Sequence, residues 1–156
     1  MTQSKTFPKI QKLQGSVLVP YNVHQVERAD EIGTETFYEY GVLKIPKALS
    51  FGEYQALIWR QLQSELHQHI YAVYNQGEQA SISGYAIKAS SLGRTDITEA
   101  CLPVQEWIDS VLDYYDSKKV EIFATTSKHD LISVTWDYSV VECPAKVDWR
   151  VIKAMF

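Results

Sequence analysis

The chain has 156 residues, a formal charge of −4, 46% hydrophobic and 22% charged residues. That is the balance of a globular chain able to bury a core without disulfides or a structural metal, and its acidity argues against a general binder of the nucleic-acid backbone, which needs a basic face. Met1 to Gly15 lacks the apolar run of a signal peptide and no later stretch is long enough to span a bilayer, so a soluble cytoplasmic protein is expected.

Residues 1–15 carry Lys5, Lys9 and Lys12 among polar neighbours and are expected as a flexible arm ahead of a single domain at 16–156. Ser16 to Val19 reads as a short strand stopped by Pro20, and Val23 and Val26 extend a strand signal toward Glu31. Gly33 supplies the turn of a hairpin whose second strand, Phe37 to Ile45, is aromatic and β-branched and ends at Pro46. Ser50 with Glu53 forms a capping-box pattern. Tyr54, Leu57, Ile58, Leu62, Leu66, Ile70 and Val73 follow at steps of three and four, which predicts a helix to about Asn75. Gln76 to Ser83 reads as a loop, and Gly84 to Leu92 as extended around Tyr85, Ile87 and Ala89.

A second helix carries Val104, Trp107, Ile108, Val111, Leu112 and Tyr115 on one face, with Pro103 suited to its first turn. Ile97, Ala100 and Cys101 continue the phase backwards, so a preceding turn with a break at Pro103 fits as well. Lys119 to Thr125 and Leu131 to Val141 read as two strands about a Ser127–Asp130 turn. Asp148 suits the cap of a terminal helix, although Val147, Trp149 and Val151 also alternate as in a strand. The fold expected is α+β, with two amphipathic helices on a mainly antiparallel sheet. A strand pair, a proline, a cap and an aromatic recur in both halves (Pro46, Ser50, Phe51; Pro144, Asp148, Trp149), the pattern of either a duplication or two similar hairpin-to-helix connections.

No reaction centre is legible. His67 and His69 lie about 200° apart on a helix and cannot share a metal; no metal-binding, phosphate-loop or nucleophile-elbow motif occurs. Cys101 is in phase with an apolar stripe, which predicts an inert thiol. No metal and no cofactor are expected, and the two cysteines are expected unpaired.

Two patterns point outward. Glu106, Asp109, Asp113 and Asp116 recur at steps of three and four with no cation between them, at a cost of a few tenths of a kcal/mol per neighbouring pair. This row suits a solvated face, or contact with a basic partner, the chain's own lysine arm or a cation. Ten tyrosines and four tryptophans exceed what one core accepts, and surplus aromatics suit an interface. A non-enzymatic interaction or assembly protein, partnered by another protein or by itself as a homo-oligomer, is therefore expected, without nucleic acid or membrane. The alternative is a small-molecule pocket between helix and sheet lined by Trp107, Trp136 and Tyr138. An enzyme of unknown type would need His24 or His129 to meet Asp137 or Glu142.

Two stretches carry a resemblance. One is Pro20-Tyr21-Asn22-Val23, then Phe37-Tyr38-Glu39-Tyr40, Ile45-Pro46 and Tyr54-x-x-Leu57-Ile58. The other is Trp107 to Tyr115, Leu131 to Ser139 and Asp148-Trp149-Arg150-Val151-Ile152. Together they resemble small accessory proteins of phage and prophage tail modules. The resemblance implies a structural or assembly role and carries no catalytic residues.

Overall fold

Apolar spacing and caps set most of the elements in the computed structural model, which describes all residues from Met1 to Phe156. The fold is α+β. Strands β1 (Thr2–Ser4), β2 (Gln11–Leu13), β3 (Ser16–Ala29) and β4 (Thr34–Ile45) precede helices α1 (Phe51–Val73), α2 (Gln76–Ser91), α3 (Thr95–Ala124), α4 (Lys128–Ser133) and α5 (Trp149–Ala154), with a 3₁₀ turn at Tyr138–Val140. Two compact units result: Met1–Leu62 with Ser117–Trp136, and Gln63–Asp116 with Asp137–Phe156.

The first unit holds the sheet, ordered β1-β4-β3-β2 and antiparallel throughout. Its centre is the β3–β4 hairpin, paired from Val17 with Ile45 to Ala29 with Thr34. The Asp30 carboxylate accepts from the Ile32 and Gly33 amides at 2.9 and 3.0 Å, closing the turn where the sequence placed it. Pro20 does not stop β3. Past Leu18 the strand has lost β2 as a neighbour, and a position with no ladder partner on one side is where a strand accepts proline. Residues 1–15, expected as an arm, supply β1 and β2 instead, pairing with Tyr38–Tyr40 and Ser16–Leu18.

A bulge between Tyr21 and His24 interrupts the hairpin. Asn22 sits there with φ +52°, left-handed backbone that asparagine tolerates better than most residues. Its buried side chain donates from Nδ2 to the Trp136 carbonyl (3.0 Å), and its Oδ1 accepts from the Trp136 amide (2.8 Å). Val17, Val19, Val23, Tyr54, Ile58, Leu62, Ile122, Leu131, Ile132, Val134 and Trp136 form the core of this unit.

The second unit is helical. Leu66 and Ile70 of α1 and Tyr74 just beyond it bury with Ile82 and Ala89 of α2, Ile97, Cys101, Val104, Trp107, Val111 and Tyr115 of α3, and Ile152 of α5. The capping box forms as expected: the Ser50 hydroxyl accepts from the Glu53 amide at 3.3 Å, and Glu53 accepts from the Ser50 amide at 2.7 Å. Asp148 caps α5 by accepting from the Arg150 amide.

Further expectations are corrected in the helical part of the chain. The 76–92 segment is helix α2, not loop and extended chain. A second capping box, Asn75 with Glu78, starts it, and Gly93 at φ +67° ends it, with the Arg94 amide donating to the Ala89 carbonyl and the Gly93 amide to that of Ser90. Lys119 to Ala124 continues α3 rather than forming a strand, because Ile122 follows Val111 and Tyr115 at helical steps and is wholly buried. At its other end α3 starts at Thr95, along the phase that Ile97, Ala100 and Cys101 carry backwards, so Pro103 stands inside one unbroken helix rather than in a first turn or at a break. Leu131 to Val141 is α4, an extended run and a 3₁₀ turn, so no second hairpin exists and the duplicated arrangement is absent.

Candidate functional site

The acidic row lies on α3 in the second unit, and all four of its residues, Glu106, Asp109, Asp113 and Asp116, are exposed. At a helical rise of 1.5 Å per residue, the row extends over about 15 Å. The chain supplies it no cation. The Asp109 carboxylate accepts a hydrogen bond from Gln105 Nε2 at 2.9 Å, whereas Lys5 of the N-terminal segment pairs with Glu35 at 3.3 Å. Nor does the fold gather three histidine, cysteine or acidic side chains in an arrangement that could hold a metal ion.

Beside the row runs an apolar groove between α2 and α3, a cavity of about 330 Å³. Ile82, Ser83 and Ala86 line it from α2, and Cys101, Leu102 and Ile108 from α3. The two features adjoin around the circumference of α3. Gln105, which donates to Asp109, also lines the groove, and at 100° per residue Leu102 falls in the middle of the row. Leu102 (48%) and Leu112 (39%) are exposed on this side of α3. Small side chains at Ser83 and Ala86 open the groove. Because α2 reads as loop and extended chain in the sequence, only the acidic half of this surface is legible there. The Asn75–Glu78 box and Gly93 are the signals that would have revealed the other wall.

The aromatic residues expected to line a pocket are packed instead. Trp107 lies against His69 and Tyr74 with ring centroids 5.8 and 5.9 Å apart, and its Nε1 donates to the Val141 carbonyl at 3.4 Å. Tyr138 stacks on His69 and meets Tyr114 edge-on, at 5.7 and 5.6 Å. Burial, assisted by Glu65, pushes the Tyr138 phenol well above its ordinary range. In the first unit, Trp136 stacks on Tyr21 at 5.8 Å and 13°. His69 Nε2 is buried with no hydrogen-bond partner, and burial lowers its pKa against the opposing pull of Asp137. Both cysteines are free, and burial raises each thiol, which opposes nucleophilic reactivity.

Of the other histidines, His24 pairs across the hairpin with Glu39, and His129 packs on Phe7 at 4.5 Å. None of the five helices is long and apolar enough to cross a membrane. Comparison with protein-family models, curated proteins and solved structures finds no match to this chain.

Proposed function

We propose that this protein is a non-enzymatic interaction component that docks a basic amphipathic segment of a partner protein on α3, an assembly role of the kind the tail-module resemblance implies. The observation that carries this is the adjacency of an apolar groove and an uncompensated acidic row, joined at Gln105. A helix with an apolar stripe and a lysine-rich flank would bury the stripe against Ile82, Leu102 and Ile108 and set its cations on Asp109 and Asp113. Those cations would relieve the repulsion among three neighbouring carboxylate pairs, about 1 kcal/mol in all, and would speed encounter at low salt. A second copy of this chain could take the face only in a heterologous contact, because an isologous one sets two acidic rows against each other.

The test uses an 18-residue leucine–lysine helical peptide and its leucine–glutamate counterpart, titrated into the full chain by fluorescence anisotropy. The lysine peptide is expected to bind, to weaken with salt, and to lose about tenfold or more with D109K/D113K. Light scattering on the size-exclusion peak at two salt concentrations reports whether the partner is a second copy. Equal binding of both peptides, or an unchanged affinity in the double variant, removes the proposal.

A further inference from the structure

In the first unit, the β2 segment, α1 and α4 surround a cavity of about 300 Å³ lined by Lys9, Ile10, Lys12, Tyr54, Lys128, His129 and Ile132. Its floor is apolar and closely packed. Tyr54 and Ile132 are 1% and 2% exposed, and the Tyr54 hydroxyl is held by the Leu49 amide, which donates to it at 3.2 Å. The rim is cationic. The Lys128 ammonium stands 5.6 Å from the centre of the Tyr54 ring, Lys9 and Lys12 face the same space, and no carboxylate contributes to the lining. His129 is positioned by its ring contact with Phe7, and α4 by its Ser127 cap, which accepts from the Asp130 amide.

Three lysines line one apolar-floored cavity with no carboxylate among its walls, in a chain of net charge −4, and like charges gathered in this way repel each other unless an anion joins them. We infer that this cavity binds a small soluble organic anion. The lysines would hold a phosphate or carboxylate head, and a planar or short aliphatic body would lie against Ile10 at the apolar end of the cavity. The volume is at the small end for ligand sites, about 300 Å³, which suits a single ring with its headgroup.

Phenyl phosphate, inorganic phosphate and phenol serve as probes, titrated into the ¹⁵N-labelled full chain and followed by amide chemical shifts. Phenyl phosphate is expected to saturate, with its shifts concentrated at residues 9–12, 54 and 128–132, and to bind at least tenfold more tightly than either fragment. K9Q/K12Q should weaken it by about tenfold or more, since charge-assisted contacts are lost, while K9R/K12R should retain it. Equal affinity for inorganic phosphate with shifts spread over the surface lysines would mean an adventitious ion only. Equal affinity for phenol, no saturable binding, or an unchanged affinity in K9Q/K12Q would also overturn the assignment. Vesicles of phosphatidylglycerol and of phosphatidylcholine distinguish a lipid headgroup from a free anion. Co-sedimentation with the anionic vesicles alone, released by K9Q/K12Q, would replace the soluble ligand with a membrane surface.

Discussion

Replacing Asn22 by alanine tests whether one side chain takes the place of a strand ladder. The Asn22 amide satisfies both backbone groups of Trp136, donating at 3.0 Å and accepting at 2.8 Å. Trp136 is 2% exposed and Asn22 is 7% exposed, so water does not readily replace the lost partner. Each orphaned buried group costs about 1–3 kcal/mol. Alanine at φ +52° adds about 1–2 kcal/mol of left-handed strain. The expected loss is therefore about 3–8 kcal/mol in urea denaturation, followed by tryptophan fluorescence because Trp136 stacks on Tyr21. Glycine separates the two contributions. It forfeits the same hydrogen bonds but relieves the strain, against about 0.5–1 kcal/mol of added chain entropy in the unfolded state. Asn22→Gly should accordingly be no less stable than Asn22→Ala, despite its smaller side chain. An alanine variant within about 1 kcal/mol of the parent would refute the role given to these bonds. A glycine variant clearly less stable than the alanine variant would refute the strain.

Two further perturbations reach other parts of the structure. Gly41 pairs with Tyr21 across the hairpin, and a β-carbon there would run into the Tyr21 ring; Gly41→Ala should cost about 1–3 kcal/mol by displacing it. Tyr21→Ala should abolish most of that penalty in a double-mutant cycle, and additive losses would show that the ring is not the obstacle. His69 has its pKa lowered by burial from 6.5, so the unfolded chain binds more protons and stability falls as pH drops below about that value. Because Nε2 has no partner, His69→Phe should leave stability at pH 7.5 nearly unchanged and reduce the loss between pH 6.5 and 5. Urea midpoints across that range decide it, and an unchanged acid slope would count against His69 as a source.

The sequence by itself determined the elements whose signals are local. Helix α1 follows from its apolar spacing and the Ser50–Glu53 box, and the hairpin turn from Gly33, whereas for α5 the Asp148 cap stood against an equally legible strand alternation. The acidic row was also legible, because exposure on one helical face depends only on the phase of that helix. What the tertiary structure decided was the partner of each ambiguous segment. Val134, Trp136 and Tyr138 alternate as a strand does and are buried as a strand would be. Yet Trp136 meets the Asn22 side chain, and the Asp137 amide donates to the Tyr114 hydroxyl at 2.9 Å. Local pattern specifies an extended backbone; whether a ladder or a side chain satisfies it depends on residues more than a hundred positions away. Helix α2 likewise has little sidedness of its own, burying Ile82 and Ala89 alone, so its caps and packing, rather than its periodicity, make it a helix. The two candidate binding surfaces share this origin. Each needs walls from segments distant in sequence, and only folding brings Ala86 to Leu102, or Lys12 to Lys128.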